Sequence, residues 1–183
     1  MTTRKERQEQ LAQEQAYKEH IHHTKINAAA IIDHILANSH TLHVKWHQYH
    51  WYVKGRDFYS LHEVFESLYN DNEKWFDALA KRVLASGFKP ASTTEEFQQY
   101  TTLNEAAEDK YLSGEEMAEQ AIEDLRSNRE FVIRAIRLAQ AETDDALEEV
   151  LIDYKDHLDM AIWQLQAFLG KEALEGDDYI DEE

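Results

Sequence analysis

The residues best suited to chemistry lie in one stretch, from His47-Gln-Tyr-His50-Trp51 through Gly55 to His62-Glu63-Val-Phe-Glu66, followed by Asp77-Ala-Leu-Ala-Lys81-Arg82. Imidazole and carboxylate side chains together ligate iron, zinc and their transition-metal neighbours. On an α-helix His62 and Glu66 fall one turn apart on the same face. Asp77 returns to within about 20° of Glu66 but roughly 16 Å further along the axis. One ion cannot touch both ends. If His62, Glu66 and Asp77 serve a single site, it must be built from two copies of the helix running antiparallel across a two-fold axis. On residue types alone, the commoner occurrence is a polar stripe of a bundle helix with incidental histidines.

The elements that would position these residues are legible from breakers and periodicity. Gly55, then Gly87 and Pro90, then Ser113-Gly114, then Gly170 and Gly176 leave long uninterrupted segments between them. Leu61, Val64, Phe65, Leu68, Phe76, Leu79 and Val83 recur at three-to-four spacing, as do Leu147, Val150, Leu151, Tyr154, Leu158, Ile162, Leu165 and Phe168. No strand alternation competes with them. Ser113-Gly-Glu-Glu116 is a capping box, and Thr143-Asp-Asp145 is an N-cap region with acidic first-turn residues. Helices are predicted over 26–54, 60–86, 115–141 and 144–169, with a long connection between the second and third and a short helix near 104–111. The fold class is therefore all-α: a four-helix bundle with an extra N-terminal helix, whose long middle connection fits the single-crossover, ferritin-like arrangement. The chain divides into an N-terminal arm (1–25), the bundle (26–170) and an acidic tail (171–183).

At 183 residues, 43% hydrophobic and 31% charged, with one Pro and five Gly, the chain has the composition of one packed domain. It has no cysteine, which excludes disulfides and thiolate metal sites. No apolar run suffices for a membrane span or a secretory signal, so the cytoplasm is the simplest address. The 19 basic and 37 acidic residues give a net charge of −18, unevenly spread. Residues 1–25 sum to +1 and the remainder to −19, with seven carboxylates and no cation from Glu172 onward.

The run His50-Trp51-x-x-x-Gly55, with His62-Glu63 twelve residues after His50, resembles the signature of the Dps family, the DNA-binding mini-ferritins of starved bacterial cells. The likeness runs from about Ile26 to the closing Trp163-Gln-Leu-Gln-Ala-Phe-Leu-Gly170. It implies a hollow shell of twelve four-helix subunits, with iron-oxidising sites shared across each two-fold interface. His50, His62 and Glu66 then stand at the positions one subunit supplies, the last more often Asp in the family. Asp77 stands at the first position from the partner subunit. The family's glutamate four residues on is Lys81 here, an ammonium with donors only in place of an oxygen ligand. Lys81 would pair with Asp77 or Glu66, or shed its proton if buried. The expectation is iron bound weakly, with room for another divalent metal, and a ferroxidase activity that is impaired. The resemblance also suggests that Asp145, Glu149 and Asp153, on one face of the last helix, line cation-admitting pores at the three-fold axes. A solvated helix face is an equal reading.

An internal di-iron site needs Glu-x-x-His on each of two helices, and only Glu19-His20-Ile21-His22 fits. Glu19, His20, His22 and His23 could instead hold a separate transition metal in the arm, although solvent-facing histidines are the more frequent case. Wound as one helix, the arm gathers Arg4, Arg7, Lys18, His22 and Lys25 into a basic stripe of about 60°, with Lys5 off to one side. Twelve such arms would hold DNA through phosphates, without sequence preference, and place the shell at the nucleoid. The arm could equally pack on its own shell, since Leu11, Tyr17 and Ile21 give it some apolar surface. Two alternatives stand beside a DNA-protecting shell: an active mini-ferritin that stores iron and consumes peroxide without holding DNA, and a bundle serving only as scaffold.

Overall fold

The computed structural model describes residues 2–24 and 26–177, without the side chains of 22–24. All regular structure among them is helical. The helices are α1 (Arg4–Thr24), α2 (Ala28–Tyr52), α3 (Phe58–Ala85), α4 (Thr94–Tyr100), α5 (Gly114–Glu142) and α6 (Asp145–Phe168), with a 3₁₀ turn over Ala107–Tyr111. The boundaries predicted for the four bundle helices hold to within two residues, and the short helix expected near 104–111 is the shorter 3₁₀ turn. The Ser113–Glu116 capping box is present, and Asp144 accepts from Leu147 N to open α6. One element was not anticipated: α4, which carries its own reciprocal capping box between Thr93 and Glu96.

α2 and α3 form one antiparallel hairpin and α5 and α6 the other, and α2 packs on α5. The connection from α3 to α5 crosses the full length of the bundle, because α5 begins beside the turn that joins α2 to α3. Gly114 there approaches so closely that an added Cβ would stand 2.8 Å from Leu61 Cδ1. Polar side chains on one side of α2 hold the crossover in place. Asn38 Oδ1 accepts from Thr102 N (2.9 Å) and Thr101 Oγ1 (3.1 Å), His34 Nδ1 donates to Tyr100 O, and Gln48 donates to Ala106 O. Each of these satisfies a loop group that would otherwise be stranded against the bundle. The core between the hairpins is aliphatic and aromatic, with Leu36, Leu42, Tyr49, Leu61, Phe65, Leu79, Met117, Leu125, Leu147 and Tyr154 fully buried. It also encloses a Lys45–Asp124 ion pair at 2.5 Å. No helix among the described residues is long and apolar enough to cross a membrane.

The acidic segment read as a separate tail begins later than expected. Residues 171–177 fold back on the bundle, where the buried Arg129 donates to both carboxylate oxygens of Asp177 (2.7 and 2.6 Å) and Arg126 donates to Glu175 O. Desolvation of the arginines is offset by bidentate and carbonyl hydrogen bonds. Residues 178–183 lie outside the described part.

Candidate metal centre

His50 lies in the last turns of α2 and His62 in the first turns of α3. The connection between them reverses the chain through Gly55 at φ +94°, a backbone conformation that favours glycine. The two rings stack with centroids 3.7 Å apart and planes within 20°. Each ring bonds the other's backbone: His50 Nδ1 donates to His62 O (2.9 Å) and His62 Nδ1 to His50 O (2.8 Å). The His50 carbonyl is one of those left unpaired at the end of α2, which explains why a ring nitrogen finds it. A carbonyl can only accept, so both Nδ1 atoms carry the proton. In the neutral rings both Nε2 atoms then keep a lone pair for a metal. Phe58 stacks on His62 and the edge of Tyr69 meets His50, which limits rotation of both rings.

Glu66 is exposed one turn further along α3, on the face of His62. Asp77 and Lys81 are also exposed, and Lys81 Nζ donates to Asp77 Oδ2 at 2.6 Å. Of the fates open to Lys81, the ion pair with Asp77 is the one seen. Among the described residues, no three His, Asp or Glu side chains are placed to hold an ion. Within one chain the candidates fall into two groups, His50, His62 and Glu66 at one end of α3 and the Asp77–Lys81 pair further along it.

A second histidine group was missed at the sequence level, although its four-residue spacing was visible. His47 Nδ1 donates to His43 O (2.7 Å), its ring stacks on Tyr69 at 3.8 Å, and the rings of His43 and His47 lie 4.4 Å apart. Burial, with His47 beside it, holds the His43 imidazole below the usual histidine range, and Glu73 only partly offsets this.

Comparison with known proteins places the chain. A ferritin-like domain is matched over residues 29–174. The DNA protection during starvation protein of Listeria innocua is 35% identical over 150 residues, covering 82% of this chain and 96% of that one. The chain belongs to the Dps family. General stress protein 20U of Bacillus subtilis is 36% identical over 135 residues, 74% of this chain and 92% of that one. Among solved structures, Dps from Listeria monocytogenes superposes with a TM-score of 0.79 at 33% identity, over 82% of this chain and 98% of that one. DpsB of Lactococcus lactis superposes at 0.90 and 27% identity over 94% of this chain and 99% of that one, which is more than the bundle alone.

The arm of this Dps-family chain corrects one sequence reading. Arg4, Lys5 and Arg7 are exposed, as is every residue from 2 to 13. Lys18, assigned by its position in the stripe to DNA, is only 3% exposed. Its Nζ lies 3.4 Å from Asp33 and 4.0 Å from Glu14, and Asp33 also accepts from Ala91 N. Glu14 meets Lys89 as well, at 3.5 Å. Lys18 is thus spent on docking α1 to the bundle, beside the buried Ile21. Glu19 and His20 are exposed, while the side chains of His22 and His23, and Lys25 altogether, lie outside the described residues. Asp145, Glu149 and Asp153 are exposed and four residues apart on α6.

Proposed function

We propose that the chain forms a Dps-type shell of twelve copies. Each inter-subunit site takes His50, His62 and Glu66 from one copy and Asp77 with Lys81 from the next. Iron(II) is the substrate, bound by the lone pairs of the two Nε2 atoms and by Glu66. The observation that carries this reading is an asymmetry. The histidine half is preorganised by its reciprocal carbonyl bonds, and the other half is closed by the Lys81–Asp77 pair at 2.6 Å. An ammonium beside Asp77 lowers that carboxylate's availability and repels a cation, so oxidation is slow and iron is held weakly. The exposed face of Asp145, Glu149 and Asp153 serves the pores that admit the ion.

The relatives named for DNA protection support a second part of the proposal: the arms hold DNA phosphates through Arg4, Lys5 and Arg7, with Lys25 adding to them. Glu19, His20, His22 and His23 remain a candidate for a further metal in the arm. One observation favours the alternative of an iron-storing shell that leaves DNA alone, namely that Lys18 is consumed inside the subunit and three described arm cations remain exposed. Stopped-flow oxidation of Fe(II) tests the iron reading. Lys81→Glu restores an oxygen ligand and should raise the initial rate on the order of tenfold. Equal rates, or a faster wild type, would show that Lys81 does not limit the site.

A further inference from the structure

Two residues of the acidic segment lie along α5, and their register gives the segment a direction. Arg126 donates to Glu175 O, and Arg129, about one turn further along the helix, donates to both carboxylate oxygens of Asp177. Two residues therefore advance about one turn of α5, ~5.4 Å, against ~6.6 Å for two fully extended residues. Asp177, the last described residue, lines a groove of 530 Å³ between α5 and α6 that also runs past Ile133 and Lys155. The Arg129–Asp159 pair at 3.0 Å and the Gln140–Glu148 bond at 2.8 Å fix the register of the two walls. They set Lys155 opposite Ile133, and Ile152 opposite Ile136 beside Arg137. Ile152 is 47% exposed. Arg137 is exposed one turn beyond Ile133, and no described carboxylate pairs with it.

We propose that residues 178–183 of the same chain occupy this groove and its continuation to Arg137. In an extended segment alternate side chains face opposite ways. Asp177, Tyr179 and Asp181 then face α5, at Arg129, Ile133 and Arg137 in succession. Asp178 and Ile180 face α6, at Lys155 and Ile152. Each step pairs a carboxylate with a cation or an apolar side chain with another. Exchanging the two sides would put Asp178 on Ile133 and Ile180 on Arg137, so the alternation selects one arrangement. The reach agrees as well, since four extended residues from Asp177 span ~13 Å and Arg137 lies ~12 Å along α5 from Arg129. Lys155 is also held by Asp159, so Arg137 supplies the uncommitted charge. The docking does not depend on the proposed iron and DNA roles.

The test uses the assembled 183-residue chain. Chymotrypsin cleavage after Tyr179, read by mass spectrometry, should be at least about tenfold slower than in a synthetic peptide of residues 172–183, because a docked segment is cut only when it opens. Arg137→Glu should raise the rate about fivefold, and Arg137→Glu/Asp181→Arg should restore protection, each measured against its matching peptide. Lys54→Glu, an equal charge change at the turn between α2 and α3, should leave the rate as it is. The chain has no cysteine, so Ile133→Cys/Tyr179→Cys reads the register directly. Mild oxidation should close it into an intrachain disulfide that migrates as a single chain on a denaturing gel. Light scattering checks that each variant keeps the wild-type particle size. Wild-type cleavage at the peptide rate, an unchanged rate in Arg137→Glu, or a disulfide that fails to form would each overturn the proposal. A disulfide joining two chains would overturn it too, by assigning the groove to a neighbouring copy's segment.

Discussion

Lys81 and Asp77 face solvent across one helical turn, and an exposed pair of that kind contributes little to folding. In the proposed site its weight is chemical, which separates two readouts of the same variant. Lys81→Glu places two carboxylates four residues apart, a repulsion of a few tenths of a kcal/mol in a helix. Its melting temperature should move by no more than a degree or two while its oxidation rate changes. His157 behaves in the opposite way. It lies in a groove with Asp71, beside Trp75 and Tyr154, and burial holds its imidazole below the usual histidine range despite Asp71. A histidine whose folded pKa is depressed takes up its proton more readily when unfolded, so stability is lost as pH falls through the unfolded value near 6.5. Between pH 7.5 and 5.5 the wild type should lose melting temperature, and His157→Gln should flatten part of that slope, which one proton limits to about 1.4 kcal/mol per pH unit. Calorimetric scans at the two pH values decide it. A wild-type slope unchanged by the substitution would mean that other groups carry the transition.

The docking of α1 depends on a buried cation and anion whose partners come from different helices. Burial keeps the Asp33 carboxyl above the usual range in spite of Lys18 and the Ala91 amide. Removing one member of a buried pair costs ~3–5 kcal/mol when the survivor stays buried. Here α1 can lift off and let Asp33 reach water, so the loss is capped at the docking energy. Lys18→Ala should therefore leave the bundle's melting transition nearly intact and make residues 4–24 sensitive to protease and fast in hydrogen exchange. Intact protection of α1 would show that Ile21 and the Glu14–Lys89 pair suffice. This contact was not legible in the sequence, because a helical wheel of residues 4–25 sees Lys18 only as a charge in a stripe, and its partner belongs to the next helix. By contrast the bundle helices were legible from periodicity and caps, since their burial is dictated by their own spacing. α4 could have been read as well. Thr93-x-x-Glu96 before Phe97 is a capping signature, hidden by its position in a stretch that Pro90 marks as connection. At the candidate metal centre, the spacing of His50 and His62 was visible. The reciprocal carbonyl bonds that set their tautomers depend on how the Gly55 turn brings two helix ends together, and no periodicity encodes that.

At the scale of the whole molecule, an exposed apolar surface and a strong negative charge make opposing demands. Trp51 is 67% exposed, and Ile152, Met160, Trp163 and Leu174 are also substantially open, a surface that association would cover. Light scattering at micromolar concentration should find a particle many times the 21.5 kDa of one chain; a monomer would end the shared-site proposal. On such a particle the body carries −19 per copy and repels phosphate within a Debye length of about 8 Å at physiological salt. DNA must then be met by the part of the arm that stands clear of the body. The latch at Lys18 divides the arm in two, a docked half from Glu14 onward and an exposed half holding Arg4, Lys5 and Arg7. Deleting residues 2–13 keeps the latch and removes those three cations, so it should abolish DNA retardation in gel shifts without changing particle size. Arg4→Glu/Arg7→Glu should weaken binding more than Lys5→Glu, whose side chain already leans to Glu9. Lys18→Ala should not weaken it, since that lysine never faced the phosphates. For the intact shell, affinity should fall steeply with salt, with no preference among sequences, as expected when counterions released by several arms supply the binding energy. Retardation that survives the deletion would move DNA contact onto the body, where only a local basic patch could overcome the surrounding charge.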